Sequence, residues 1–137
     1  MRLFDASSIV EVLITRKEDS VDVLRTGFQL ELTLYEVGNS IRRVYSRRKQ
    51  AEQTEVMRKI RAAAKILGLM DVTPIVTEEA EAIMGIAIGH SLTFYDAAYM
   101  YAARRDGLVL VTEDEALRKV ATDMGCPTEK VANMVTV

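Results

Sequence analysis

The chain has 137 residues, 49% of them apolar and 28% charged, with a formal net charge of −2. That length suits a single domain, residues 1–137, able to bury roughly 68–70% of its unfolded surface without a disulfide staple. The charge balance excludes a globally basic nucleic-acid binder. The one cysteine, Cys126, excludes an internal disulfide and a Cys-rich zinc site.

Arg2-Leu3-Phe4 reads as a short buried strand, and Asp5-Ala6-Ser7-Ser8 ends it and opens a helix through about Thr15, with Ser8 and Glu11 placed for a capping box. Residues Val21 to Gly27 fit either a short helix or a loop. Phe28 to Leu32 alternates apolar and polar residues as a half-buried strand does. A helix from near Thr33 carries Leu34, Val37, Ile41, Val44 and Tyr45 at helical spacing and runs out into Arg47-Arg48-Lys49. The next helix, from about Ala51 to Leu67, turns Val56, Ile60, Ala63, Ala64 and Leu67 inward.

Met70 to Val76 reads as a strand disturbed by Pro74, followed by a helix from Thr77 to near Gly89. Thr93 is placed to cap a helix in which Tyr95, Ala98, Tyr99 and Ala102 recur at i, i+3, i+4 and i+7, with Gly107 closing it. Leu108-Val109-Leu110-Val111 is an unbroken apolar run, the mark of a central parallel strand. Thr112 and Glu115 suggest a capping box for the helix after it, and Val131 to Val137 a short last strand. Strands alternating with helices predict an α/β fold with a mainly parallel sheet, without repeats or linkers. The apolar runs are short and Asp5 and Glu11 interrupt the first, so neither a membrane span nor a signal peptide is expected and the cytoplasm is the expected location.

In such sheets ligands bind beyond the carboxyl ends of the strands. Asp5 follows the first strand and Asp114 the apolar run, which puts both on one edge. Glu36 and Asp96 sit on helices able to face it. Four acids in one cleft repel one another unless a cation joins them, and Mg²⁺ or Mn²⁺ takes oxygen donors of this kind. Each acid also has a plain structural role open to it: Asp5 as a cap, Asp96 paired with Thr93, Asp114 at a helix dipole, and Glu36 on a solvated face.

Phe4-Asp5-Ala6-Ser7, Leu34-Tyr35-Glu36-Val37-Gly38-Asn39, Phe94-Tyr95-Asp96-Ala97 and Leu110-Val111-Thr112-Glu113-Asp114 resemble, in order and interval, the four motifs of PIN-domain ribonucleases. The length resembles that of VapC-type toxins of toxin–antitoxin pairs. The resemblance implies a three-layer α/β/α fold, Mg²⁺ or Mn²⁺ in an acidic pocket, and endonucleolytic cleavage of single-stranded RNA to leave a 5′-phosphate and a 3′-hydroxyl. It implies Asp5 and Asp96 as direct metal ligands, Glu36 and Asp114 as ligands through water or a second ion, Ser7 and Thr112 as supports that order the carboxylates, and Asn39 at the pocket rim. It also implies a homodimer and a small antitoxin partner.

Between Arg42 and Lys65 nine cations stand against two acids, a net +7 that leaves −9 on the rest of the chain. Arg42, Arg43, Arg47, Arg48 and Lys49 are candidate contacts to RNA phosphates, with Tyr45 as a stacking surface; a solvated two-helix face explains the same charges. His90, the one histidine, suits a helix end, and Cys126 suits packing. The seven methionines read as core filler, and Tyr95, Tyr99 and Tyr101 as mostly core at helical spacing, with one hydroxyl able to reach the cleft. Competing classes are a non-catalytic RNA- or protein-binding module, a stand-alone RNA-processing nuclease, and a phosphoacceptor receiver domain; the last expects paired acids near the first strand, where Asp5 stands alone.

Overall fold

The structure, a computed structural model, describes residues 1–45 and 53–135, without the side chain of Tyr45. Five strands form one sheet: β1 (Arg2–Phe4), β2 (Phe28–Gln29), β3 (Asp71–Val72), β4 (Val109–Val111) and β5 (Thr128–Glu129). Their order is β3-β2-β1-β4-β5 and every pairing is parallel. The helices are α1 (Ala6–Thr15), α2 (Ser20–Leu24), α3 (Leu32–Tyr45), α4 (Gln53–Leu67), α5 (Ala80–His90), α6 (Phe94–Asp106) and α7 (Glu115–Asp123).

The register explains the three layers. Leu3 pairs with Leu110 and Phe4 with Val111. Because successive strand residues point to opposite faces, each pair serves one face. Leu3 and Leu110 pack with Ile83, Tyr99, Met100 and Leu117 from α5, α6 and α7. Phe4 and Val111 pack with Ile9, Val12, Val37, Ala63 and Leu67 from α1, α3 and α4. The sheet is thus covered on both sides, as parallel sheets require. Gly27 belongs to this fit: a Cβ there would stand 2.5 Å from Phe4 Cε2.

Several expectations are corrected. Asp5, not Ser8, caps α1, its side chain accepting from the Ser8 N–H. Asp114, not Thr112, caps α7 through the Leu117 N–H, and Glu115 pairs with Arg118 and Lys130 instead. The Met70–Val76 strand shrinks to Asp71–Val72 on the sheet edge, since Pro74 has no N–H to give to a ladder, and a 3₁₀ turn (Thr77–Glu79) precedes α5. The last strand is Thr128–Glu129, and Val131–Asn133 forms a 3₁₀ turn; Thr136 and Val137 lie outside the described residues. Ala64 faces solvent, as do Leu34 and Val44, although they hold helical spacing. Met70, Met100 and Met134 are buried, but Met1, Met57 and Met84 are exposed. The segment Val21–Gly27 resolves to α2 followed by a turn. Gly107 ends α6 with φ of 65°, a left-handed position that glycine adopts without strain.

Candidate functional site

The strand order turns at β1, with β2 on one side and β4 on the other. Ligands of open α/β sheets bind at such a reversal, beyond the carboxyl ends of the strands. The residues that leave β1 and β4 there are Asp5 and Thr112.

Asp5 is 5% exposed and the most constrained of the four acids. Its Oδ1 accepts from Ser7 Oγ at 2.7 Å and from the Ser8 N–H at 2.9 Å; its Oδ2 accepts from Thr112 Oγ1 at 2.5 Å. The two hydroxyls are themselves held by the loop after β4. Thr112 Oγ1 accepts from the Asp114 N–H at 3.1 Å, and Ser7 Oγ accepts from the Glu113 N–H at 3.1 Å. With their acceptor sides occupied, both hydroxyls aim their single proton at Asp5. Burial nevertheless outweighs these donors and raises the Asp5 pKa above the usual carboxylate range.

Glu36, on α3, is half-buried and its Oε1 accepts from the Tyr99 hydroxyl at 2.7 Å. Burial raises its pKa, the Tyr99 bond opposes the rise, and the charge of Asp5 adds to it. Asp96 stands in the first turn of α6, where Thr93 Oγ1 accepts from its backbone N–H at 3.0 Å. Its pKa is pushed up to about 6, first by burial and then by the charges of Asp114, Asp5 and Glu36 in that order. Asp114 is exposed; its Oδ1 caps α7, accepting from the Leu117 N–H at 2.9 Å. The mutual effect on Asp96 brings all four acids into one electrostatic neighbourhood. Among the described residues no cation forms an ion pair with any of them.

Among the described residues no three His, Cys, Asp or Glu side chains are drawn together tightly enough to be a ready-made metal cage. The donor set still fits a hard divalent ion. Mg²⁺ keeps several of its waters and needs only one or two protein carboxylates, and oxygen is the donor it prefers. A mutually repelling group of acids without a cation is the environment such an ion relieves.

The other sequence candidates fall as follows. Ser7 and Thr112 both contact Asp5 directly. Asn39 is exposed on α3 one turn after Glu36. Arg42 and Arg43 are exposed in the last turn of α3. Arg47, Arg48 and Lys49, and the side chain of Tyr45, lie outside the described residues. Helical spacing grouped Tyr95 with Tyr99, but Tyr95 is 56% exposed and Tyr99 1%. Of the three tyrosines expected to be mostly core with one hydroxyl able to reach the cleft, it is Tyr99 whose hydroxyl meets Glu36, and Thr33, expected only to start a helix, stands behind it. The signal available in the sequence was their spacing, each three residues from an acid on its own helix, Thr33 before Glu36 and Tyr99 after Asp96.

The sequence matches the PIN domain family over residues 2–123. Over 88 residues it is 32% identical to a protein named exonuclease VapC9 from Pyrobaculum aerophilum, a match that covers 64% of this chain and 62% of that protein. The fold is similar to that of the crystal structure of PAE2754 from Pyrobaculum aerophilum, with a TM-score of 0.79 and 26% identity over 96% of this chain and 90% of that one.

Proposed function

Because the chain belongs to the PIN domain family, we propose that it is a Mg²⁺- or Mn²⁺-dependent ribonuclease that cleaves single-stranded RNA. The observation that carries this reading is the group of four acids at the sheet reversal with no cation among the described residues to pair with them; burial first, and then the charges of the other three acids, push Asp96 up to about 6. Similarity to a protein named as a VapC exonuclease supports placing it among toxins of VapBC-type pairs. On that reading it works in the cytoplasm, as a homodimer, with a small antitoxin that blocks the site; no helix among the described residues is long and apolar enough to cross a membrane.

In the proposed site Asp5 and Asp96 would hold the ion directly, with Glu36 and Asp114 as the further carboxylates that would support it. When bound, the ion neutralises phosphate charge and makes water a better nucleophile. The chain's own residues supply order. Ser7 and Thr112 fix both oxygens of Asp5, so its carboxylate cannot swing toward solvent. Asp114 has one oxygen committed to the α7 cap, which leaves the other for the cleft. Arg42 and Arg43, with Arg47, Arg48 and Lys49, are the proposed contacts to the phosphate backbone of the substrate.

The test is cleavage of labelled single-stranded RNA by the purified protein with Mn²⁺ or Mg²⁺, then with EDTA, beside Asp96→Asn. Cleavage that needs the metal and disappears in Asp96→Asn is the expected result; cleavage retained in the variant refutes the site. A circular RNA separates internal cutting from cutting at an end, the mode that the relative's name carries. Metal binding without cleavage of any RNA would favour the binding-module reading.

A further inference from the structure

We propose that Tyr99, oriented by Thr33, is the positioning residue that sets the Glu36 carboxylate and ties together the two helices that carry Glu36 and Asp96. The proposal rests on the reading of these acids as a metal-dependent site. Tyr99 is buried in the core that Leu3 and Leu110 of the sheet share with α5, α6 and α7, yet its hydroxyl lies 2.7 Å from Glu36 Oε1 and 2.8 Å from Thr33 Oγ1. Thr33 Oγ1 also accepts from the Leu30 N–H at 3.2 Å.

The direction of every bond in this chain is forced. An ionised carboxylate only accepts, so Tyr99 donates to Glu36. A phenol has one proton, so its oxygen accepts from Thr33. Thr33 has then given its proton and takes the Leu30 N–H as acceptor. The relay therefore starts at a fixed backbone amide at the end of β2 and delivers a single donor to Glu36. All of its members are buried except the Glu36 end, and none is left without a partner, so it has no second arrangement available while Glu36 is ionised.

The placement on the helices gives the relay its use. Thr33 lies one turn before Glu36 on α3, and Tyr99 one turn after Asp96 on α6. One phenol thus fixes how far apart α3 and α6 hold their acids and which oxygen of Glu36 faces the cleft. Glu36 Oε1 is taken by Tyr99, which leaves Oε2 for whatever enters. A tyrosine serving only as core filler would need none of these bonds, and phenylalanine would fill its space.

Tyr99→Phe keeps the ring and removes the one donor. Mn²⁺ affinity, read by calorimetry, should fall roughly 10–100-fold, the usual effect of losing a partner that orients a ligand. In RNA cleavage kcat should fall while KM stays within about twofold, because the phosphate contacts lie elsewhere. Thr33→Val should reproduce both losses and Thr33→Ser should restore wild-type values. The Tyr99→Phe, Thr33→Val pair should be little worse than either single change, as members of one relay are not additive. Wild-type Mn²⁺ affinity and kcat in Tyr99→Phe, or equal behaviour of Thr33→Val and Thr33→Ser, would overturn the proposal while leaving the nuclease reading intact. Thermal melts check folding, and if Tyr99→Phe does not fold, the contrast between the two Thr33 variants decides. A wild-type protein that neither binds Mn²⁺ nor cuts RNA would remove the reading of the site, and this role with it.

Discussion

Helix α6 has acids gathered at each end: Asp96 with Asp5, Glu36 and Asp114 at its start, Glu79 and Asp106 at its close. Asp96 and Asp106 lie about 15 Å apart by helical rise. At the close, Arg105 stands between the acids, 2.7 Å from Glu79 and 2.9 Å from Asp106. Glu79 there is lowered to about 2, first by the Val76 N–H and then by Tyr101 and Arg105. Arg105 also lies 5.8 Å from the Tyr101 ring centre. At the start no described cation answers the acids, and Asp96 rises to about 6. The same residue types thus serve two ends. Acids that hold the fold together are given cations and donors. Acids left to repel each other cost the fold stability, and that cost is the ground of the proposed cation site.

The contrast predicts opposite responses at the two ends. The largest is in activity: Asp96→Asn should lower RNA cleavage at least about a thousandfold in steady-state assays, whereas Arg105→Ala should leave kcat and KM unchanged. The same pair separates in stability. The Asp96 pKa is higher folded than unfolded, so the folded state holds its proton longer. The group's contribution is therefore fully present below about pH 3.8 and is lost as pH rises through about 6. For this partly exposed carboxyl the rise to about 6 is worth about 1–2 kcal/mol. In denaturant titrations without metal, Asp96→Asn should accordingly be more stable than wild type at pH 8 by that amount and lose its advantage near pH 4. Arg105→Ala should lower the melting temperature by a few degrees at pH 8. A destabilised Asp96→Asn at pH 8 would break the contrast.

Thr112→Val gives a smaller and mixed effect. It removes the donor to Asp5 Oδ2 and orphans the Asp114 N–H, so it should cost roughly 1–3 kcal/mol in stability and roughly 10–100-fold in cleavage. The smallest effect is expected for Arg42→Ala with Arg43→Ala. These should weaken RNA binding a few-fold and flatten its dependence on salt, measured by fluorescence anisotropy, without altering kcat.

Of the four candidate acids, Asp5 and Asp114 were legible from chain order, whereas Glu36 and Asp96, on helices, were grouped with them by the motif resemblance. An acid just after a buried apolar strand of a parallel sheet has one place to go, and the strands before Asp5 and Thr112 are unmistakable in composition. Their supports were legible in part. Ser7 and Thr112 were expected to order the carboxylates, and they do contact Asp5. Which residue caps each helix was misread, because Ser, Thr and Asp near a strand end all satisfy the capping pattern and only the backbone geometry chooses among them. Asp5 and Asp114 are helix caps whose charges also act on Asp96, so the plain role and the proposed one do not exclude each other. A tyrosine hydroxyl at the cleft was expected without its residue being singled out, because periodicity reports that a tyrosine faces inward, not where its hydroxyl ends. Tyr95 erred the other way, since a helix mouth beside a cleft exposes what a mid-helix position would bury. Short strands such as Asp71–Val72 carry too little alternation to be bounded from sequence, and Pro74 removes the residues that would have lengthened it.

The central claim is that the unanswered acids at the start of α6 exist to take a divalent cation. The most direct measurement is calorimetric titration of Mn²⁺ into the metal-free protein at pH 7, with Asp96→Asn and Arg105→Ala beside it. The account predicts saturable binding in wild type and in Arg105→Ala, and none in Asp96→Asn. Binding of equal strength in Asp96→Asn, or no binding in wild type, would contradict it.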